Sequence, residues 1–199
     1  MKKSFIIGIP IRDFENPMSR LSNIISRDER VNLSKGLIIN LINVFSITKT
    51  DVFVISNDKN VKIFCEDNSF KIFKSSQNDL NKEIQEFLSQ NDNYKNWSIV
   101  HGDLPYITKH FARIWMNLCE SSPILIGASK DNGTPIFGGS ETYDNFLYGK
   151  NSFIKHTKIM EEDNIAYERV FHKELIFELD DEEDYSNFIK HQPRWYRKL

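Results

Sequence analysis

The chain has 199 residues, of which 40% are apolar and 27% charged, and its formal net charge is −2 at pH 7. This composition fits one globular domain with a substantial core, so we expect a single domain over residues 1–199 with a short C-terminal arm at about 190–199. The balanced charge gives no basic face for a duplex, which argues against a nucleic-acid partner.

Cys65 and Cys119 are too few and too isolated for a disulfide framework or a zinc site, which indicates a reducing compartment. The lysines at the start and the apolar run after them resemble a signal peptide, but Pro10 interrupts that run. A first buried strand explains the segment better. No apolar stretch approaches the length of a membrane span, so we expect a cytoplasmic protein without a membrane partner.

Short apolar runs alternate with longer amphipathic stretches along the chain, which is the pattern of a β/α protein. The runs predict buried strands at residues 5–11, 51–55, 97–100, 124–127 and 175–177. The amphipathic stretches predict helices at residues 26–48, 80–88, 108–118, 152–162 and 181–191. Ser26 and Glu29 form the S-x-x-E capping box of the first helix, which should end near Thr48, and Thr108 can cap the third.

Two regions depart from simple alternation. The weaker segments 62–64 and 71–73 are interpreted as a short strand pair or loop. Residues 131–133 form a hairpin-type turn, after which residues 135–137 run back antiparallel. The predicted fold class is therefore α/β, a three-layer α/β/α sandwich with a mostly parallel, Rossmann-like mixed sheet and an antiparallel β insertion.

Two acidic clusters, at residues 102–105 and 178–181, each follow a predicted strand. In an open α/β sheet the ligand crevice lies beyond the carboxyl ends of the strands, so carboxylates distant in sequence can meet there on one magnesium ion. From the residues alone, the more frequent alternative is that Asp103 opens a turn while Asp180 and Asp181 cap the last helix.

Two glycine groups, Gly133-Thr134 and the segment from Gly149 to Ser152, can offer amides and hydroxyls to an anion. The alternative is a hairpin turn and an ordinary helix cap. The five histidines form no zinc-binding pair, and the chain has no G-x-S-x-G, G-x-x-x-x-G-K-[ST] or G-x-G-x-x-G motif. Serine hydrolases, P-loop enzymes and dinucleotide oxidoreductases therefore have no support.

In their order and spacing, segments along almost the whole chain resemble the 2-phospho-L-lactate guanylyltransferase family and its phosphoenolpyruvate-using relatives. That family joins GMP to a phosphorylated three-carbon acid on the way to the deazaflavin coenzyme. The segments that carry the resemblance are Ile9-Pro10-Ile11-Arg12, Ser19-Arg20-Leu21, Glu29-Arg30, Leu80-Asn81, Gly102-Asp103-Leu104-Pro105, Asn132-Gly133-Thr134, Tyr148-Gly149-Lys150-Asn151-Ser152-Phe153 with His156, and residues 178–184.

The resemblance implies a role for particular residues. The implied magnesium ligands are Asp103 and Asp180, with Glu178 beside them where the family usually has another Asp. The implied catalytic residues are Asp103, Asp180 and Arg20. The implied nucleotide-binding residues are Pro10, Arg12, Ser19, Arg20, Gly102 and, near the base or ribose, Asn81. The implied acid-binding residues are Thr134, Gly149 and Ser152.

The reaction implied is attack by a substrate phosphate oxygen on the α-phosphorus of GTP, with pyrophosphate leaving. Such a reaction needs in-line positioning and charge neutralisation rather than a covalent nucleophile. The implied partners are Mg²⁺, GTP or another nucleoside triphosphate, and 2-phospho-L-lactate, phosphoenolpyruvate or 3-phosphoglycerate, and a homodimer is left open.

Two alternatives remain, a cytidylyltransferase acting on a related acid and a non-catalytic nucleotide-binding relative. The second rests on Met18, because the family typically has Lys there. Arg12 also replaces a usual Lys, and it keeps the charge but not the shape of that side chain. In the glycine-rich segment, Asn132 replaces a Gly and Pro135 replaces an Asn, which changes the acid pocket.

Overall fold

The computed structural model describes residues 3–47 and 50–196. The strands are β1 (Lys3–Pro10), β2 (Thr50–Ile55), β3 (Lys71–Phe73), β4 (Tyr94–Val100), β5 (Ile124–Gly127), β6 (Ile136–Gly139) and β7 (Glu168–Val170). The helices are α1 (Arg27–Phe45), α2 (Lys59–Asp67), α3 (Leu80–Ser89), α4 (Lys109–Ser121), α5 (Ser152–Glu162) and α6 (Glu182–Lys190), with a 3-10 turn at Ser19–Leu21. None of these helices combines the length and the apolar character needed to cross a membrane.

The seven strands of the described residues form one sheet in the order β3-β2-β1-β4-β6-β5-β7. Strand β6 runs antiparallel to both β4 and β5, and every other neighbouring pair is parallel. The turn before β6 is stabilised by a hydrogen bond from the Ser129 N–H to the Gly133 carbonyl at 3.2 Å. Asn132 in this turn has a φ of 63°, a left-handed conformation that asparagine tolerates. The predicted antiparallel insertion is confirmed.

Helices cover both faces of the sheet, because successive side chains of each strand point to opposite sides. Phe5, Ile7 and Ile9 of β1 join the core beneath α1, α2 and α4. Ile6 of the same strand joins the core beneath α3 and α5. The three-layer α/β/α sandwich predicted from the sequence is therefore confirmed.

A third apolar cluster connects α6 to the segment between β1 and α1. Leu21, Leu179 and Phe188 are fully or almost fully buried in it, and the partly buried ring of Trp195 packs against them. The Trp195 indole N–H also donates to the carbonyl of Pro105 at 2.8 Å. The described part of the C-terminal arm thus holds α6 beside the loop after β4.

The local helix signals are confirmed at the start of α1, where Ser26 and Glu29 form both bonds of the capping box. Thr108 caps α4 by accepting from the Phe111 N–H. Helix α1 ends at Phe45, and the predicted end near Thr48 lies outside the described residues.

Two predicted elements are wrong. Residues 62–64 lie inside helix α2, which begins after Asp58 because that side chain accepts from the Val61 N–H at 2.8 Å. Residues 175–177 are not a strand, although Leu175 is buried, and the strand beside β5 is instead β7. A short apolar run does not distinguish a strand from a buried helix or loop, and β7 is a polar edge strand that lacks the apolar signal.

Candidate active site

Two distant segments meet at the carboxyl end of β4. His101 and Asp103 directly follow this strand, and Glu178 lies in the segment that leads into α6. One ligand atom each from His101, Asp103 and Glu178 lie within 4.8 Å of one another. The Leu179 N–H donates to the Asp103 carbonyl at 2.9 Å and holds the segments together. The predicted convergence of the two acidic clusters is thus present in the fold.

The surroundings of Asp103 are unfavourable for its charged carboxylate. Its Oδ1 atom is buried and has no hydrogen-bond partner among the residues that the structure describes. Burial and, to a smaller extent, the negative charge of Glu178 raise the pKa of Asp103 to about 7. A buried, unpaired carboxylate beside a second one is unfavourable unless a proton or a cation compensates it.

The space around these carboxylates depends on a glycine. A Cβ atom at Gly133 would lie 2.9 Å from Glu178 Oε2 and 2.6 Å from Ser129 Oγ. Gly133 therefore lets the turn approach Glu178 closely. Hard oxygen donors around an uncompensated charge are the donor set that magnesium prefers, so the residues present fit this ion.

His101 was not predicted as a site residue. Its Nδ1 lies 3.2 Å from Glu178 Oε1. Burial lowers the pKa of His101, but the hydrogen bond to Glu178 and the charges of Asp103 and Glu178 raise it more, and the net shift is upward. Because magnesium favours oxygen over nitrogen, His101 fits the role of a partner that orients Glu178. The only sequence signal was its position two residues before Asp103.

Asp180 lies beside this cluster and pairs with Arg20, which is 160 positions away in sequence. Both side chains are largely exposed. Burial raises the pKa of Asp180 although the positive charge of Arg20 opposes the shift. The Asp180 N–H donates to Asp184 Oδ2 at 3.3 Å, and Lys130 holds the buried Asp184 at 2.6 Å. The helix cap of α6 is Asp181, whose side chain accepts from the Asp184 N–H at 2.9 Å.

A crevice of about 560 Å³ opens beside Asp103 at the carboxyl ends of β1 and β4. Three predicted nucleotide-binding residues, Pro10, Arg12 and Gly102, line it. The Arg12 side chain is 97% exposed at the rim. A Cβ atom at Gly102 would lie 2.4 Å from Ile11 Cδ1, so a larger residue here would require the end of the Ile11 side chain to move.

The other three predicted nucleotide-binding residues, Ser19, Arg20 and Asn81, do not line this crevice. Ser19 is exposed on the same 3-10 turn as Arg20. Asn81 does not line the crevice, and its Oδ1 accepts from the Tyr148 N–H at 2.7 Å. Asn81 therefore connects α3 to the loop that contains Gly149.

The two glycine groups come together as one unit. The Phe153 N–H donates to the Asn132 carbonyl at 3.0 Å, and the Ser152 N–H donates to the Gly149 carbonyl at 3.1 Å. Gly149 has a φ of 114°, a conformation that favours glycine. Ser152 is buried at the start of α5, and the residue before it, Asn151, makes no side-chain capping bond. The alternative of an ordinary side-chain cap is therefore not what the helix uses.

Thr134 is fully buried, and its hydroxyl lies 3.1 Å from His156 Nδ1. His156 Nε2 accepts from the Leu147 N–H at 2.7 Å, so Nδ1 carries the proton and donates to Thr134. Burial lowers the pKa of His156 to about 3. This neutral histidine fixes the floor of the predicted acid pocket.

Three residues that the sequence did not single out complete the crevice at its other end. These are Asn57, Asn78 and Glu83. Asn57 donates to Glu83 Oε1 at 3.2 Å and to the Gln77 carbonyl at 2.6 Å. In the sequence these residues are ordinary polar positions of a loop and of a helix surface, and no motif marks them.

The fold is that of nucleotidyltransferases and nucleotide-sugar transferases. A provisionally assigned nucleotide-diphospho-sugar transferase from Desulfovibrio desulfuricans G20 superposes with a TM-score of 0.83 at 12% identity, covering 100% of this chain and 91% of that one. A nucleotidyl transferase from a Methanothermobacter species superposes with a TM-score of 0.69 at 12% identity, covering 98% and 99%. Identities this low establish the fold alone.

A family model described as "Guanylyl transferase CofC like" matches residues 5–197, and the chain belongs to this family. Among curated relatives, the 2-phospho-L-lactate guanylyltransferase of Methanosphaera stadtmanae is 27% identical over 164 residues, 79% of this chain and 71% of the relative. The protein of the same name from Methanobrevibacter smithii is 24% identical over 187 residues, 92% of this chain and 83% of the relative. The resemblance found in the sequence is confirmed.

Proposed function

We propose that this protein transfers GMP from GTP to a small phosphorylated carboxylic acid and releases pyrophosphate, as in deazaflavin coenzyme biosynthesis. Membership of the guanylyl transferase family and the names of the curated relatives support the reaction class. The observation that carries the proposal is the meeting of Asp103 and Glu178 beside the crevice, with a buried carboxylate oxygen that has no described partner. The candidate acids are 2-phospho-L-lactate, phosphoenolpyruvate and 3-phosphoglycerate.

We propose Asp103 and Glu178 as magnesium ligands. Together with Asp180 beside them, these carboxylates form the acidic edge of the site. When bound, the ion neutralises charge on the phosphates and helps to align them. Asp103 is preorganised for this task, because Leu179 fixes its backbone and its Oδ1 is already desolvated. The contact of His101 Nδ1 with Glu178 Oε1 keeps the Glu178 carboxylate oriented toward Asp103.

The cations of the site act on the phosphate groups of the nucleotide. Arg20 is held at the acidic edge by Asp180, on exposed surface, so it is available to neutralise charge that develops on the α-phosphate. Arg12 stands at the rim of the crevice, where its guanidinium can meet the outgoing pyrophosphate. No side-chain nucleophile is needed, because the acid's own phosphate attacks.

The acid is proposed to lie against the unit formed by the two glycine groups. Ser152 begins helix α5, and the N-terminal end of a helix favours an anion. Gly149 permits close approach of a ligand, since no atom of the described residues lies within 4 Å of the position a Cβ would take. Thr134 shapes the floor through His156. The reaction is placed in the cytoplasm, in keeping with the free thiols of Cys65 and Cys119.

The decisive experiment incubates the protein with Mg²⁺, each nucleoside triphosphate in turn and each of the three acids, and follows pyrophosphate release. We expect turnover with GTP and one preferred acid, and none after chelation of the metal. Turnover with CTP alone would support a cytidylyltransferase instead. Nucleotide binding without turnover under every combination would refute the enzyme and support a non-catalytic relative.

A further inference from the structure

The crevice extends well beyond the acidic edge. His101 and Asp103 line it after β4, whereas Asn57 lines it after β2 and Glu83 lines it from the first turns of α3. In the sheet β1 separates β2 from β4, so these two ends are two strand spacings apart, about 10 Å. That separation is on the scale of the distance between the base and the α-phosphate of a nucleotide.

The far end of the crevice presents a carboxylate, that of Glu83, that no cation of the described residues neutralises. Glu83 is partly buried, and its described hydrogen-bond partner is the amide of Asn57 at 3.2 Å. Burial raises the pKa of Glu83, and the neighbouring charges of Asp79 and Glu86 raise it further. No ion pair to Glu83 occurs within residues 3–47 and 50–196. The carboxylate therefore has room for further N–H donors.

The Glu83 carboxylate is not needed to cap helix α3. Asp79 is the cap of α3, and its side chain already accepts from the Lys82 N–H at 3.2 Å. The apolar side chains of Pro10, Ile11 and Leu80 line the same crevice. The other lining residues are mostly polar, so the crevice offers a flat ring an apolar surface with hydrogen-bonding groups beside it.

We propose that Glu83 selects guanine, its carboxylate accepting hydrogen bonds from N1–H and from the 2-amino group of the base. This assignment rests on the proposed function and adds the residue that chooses the nucleotide. An ionised carboxylate offers only acceptors, and guanine presents two adjacent donors on that edge. Adenine and cytosine place a ring acceptor next to their amino group, so a lone pair would face the carboxylate. Asn57 orients the carboxylate from the other side.

The test measures equilibrium binding of GTP, ITP and XTP in Mg²⁺, without an acid, to the wild-type protein and to Glu83→Gln. ITP lacks the 2-amino group, and XTP has a carbonyl in its place. We expect the wild type to bind GTP at least about tenfold more tightly than ITP, since a lost bond to a charged group costs about that much. The matched control is Glu120→Gln, an exposed residue of α4 outside the crevice, which should behave as the wild type.

Glu83→Gln should bind GTP more weakly and XTP more tightly than the wild type does. The new amide can donate to the 2-carbonyl of xanthine while its oxygen accepts from N1–H. We expect the GTP-to-XTP affinity ratio to change by about a hundredfold, on the scale of two exchanged hydrogen bonds. If Glu83 had only a structural role, the substitution would weaken the binding of all three nucleotides by the same factor. Glu83→Asp is a second variant that keeps the charge, and its shorter reach should lower the GTP preference over ITP.

GTP binding with unchanged GTP-to-ITP and GTP-to-XTP ratios in both variants would overturn the assignment of Glu83 and leave the proposed function intact. A wild-type protein that binds no nucleoside triphosphate at all would overturn the proposed function together with this inference.

Discussion

Leu179 donates its backbone N–H to the carbonyl oxygen of Asp103 at 2.9 Å, although the two residues are far apart in the sequence. The bond sets the segment before α6 against the loop after β4, and it places Glu178 and Asp180 on either side of the joined residue. Leu179 itself is buried in the cluster that contains Phe188. The position of the acidic groups is thus fixed by the apolar packing of α6.

Asp103→Asn should lower turnover by at least about a hundredfold, because preorganised electrostatic stabilisation is lost while the shape of the side chain is kept. Folding should be retained, since the change removes one of two partly buried like charges. Mg²⁺ should raise the unfolding temperature of the wild type and not that of the variant, as binding to the native state stabilises it. Exposed Asp92→Asn serves as the control. Unchanged turnover in Asp103→Asn would show that the metal lies elsewhere.

Arg20→Met should reduce kcat/KM for GTP by about a hundredfold, because the cation that meets the developing phosphate charge is removed. Stability should change by less than about 1 kcal/mol, since the pair with Asp180 is exposed. The control is Arg169→Met, which removes a comparable exposed pair with Glu161 far along the sheet at β7. An equal loss of activity in both variants would argue against a role for Arg20.

Ser152→Ala should raise the KM for the acid by about fivefold, the effect of losing one hydrogen bond of about 1 kcal/mol. The KM for GTP should stay the same, because Ser152 does not line the crevice proposed for the nucleotide. Steady-state kinetics with each substrate varied in turn provides the measurement. An unaltered KM for the acid would contradict the placement of the pocket.

His156 should make stability fall as the pH is lowered through weakly acidic values. Its folded pKa of about 3 lies below its ordinary value of 6.5, so below pH 6.5 the unfolded chain takes up a proton that the folded protein does not. Its contribution to the free energy of unfolding is fully present above pH 6.5 and declines by about 1.4 kcal/mol per pH unit below that value. Denaturant unfolding between pH 5 and 6.5 gives the slope.

The slope should be smaller in His156→Gln and retained in Thr134→Ser, which keeps the hydroxyl that accepts from His156. His101 should change stability with pH in the opposite direction. Its folded pKa is raised, so the stability that it contributes is lost as the pH rises above 6.5. The two histidines therefore act in different pH windows. Equal slopes in the wild type and His156→Gln would contradict the assignment.

Ser98→Ala should lower the free energy of unfolding by about 1–3 kcal/mol, the cost of leaving a buried donor unpaired. The Ser98 hydroxyl accepts from the Trp115 indole N–H at 2.7 Å, and both side chains are fully buried between β4 and α4. Ser89→Ala, at an exposed position on α3, should stay within about 0.5 kcal/mol of the wild type. Equal stability of all three proteins would show that the Trp115 donor finds another partner.

Much of the fold could be predicted from local features of the sequence. The capping box of Ser26 and Glu29, the cap at Thr108 and the turn at Asn132 act through contacts between residues a few positions apart. Such contacts form in any context that keeps the local backbone, so a sequence pattern is enough to locate them. The same reasoning failed at β7, because an edge strand forms only when β5 supplies its hydrogen bonds.

The family, most of the helices and strands and the pairing of two acidic segments could be inferred from the sequence by itself. Only the tertiary structure decided that His101 joins Asp103 and Glu178, that Asp180 is held by Arg20, and that Glu83 closes the far end of the crevice. The physical reason is that burial, charge compensation and cavity shape depend on residues brought together by packing. These quantities are properties of the folded surface and not of any short stretch of chain.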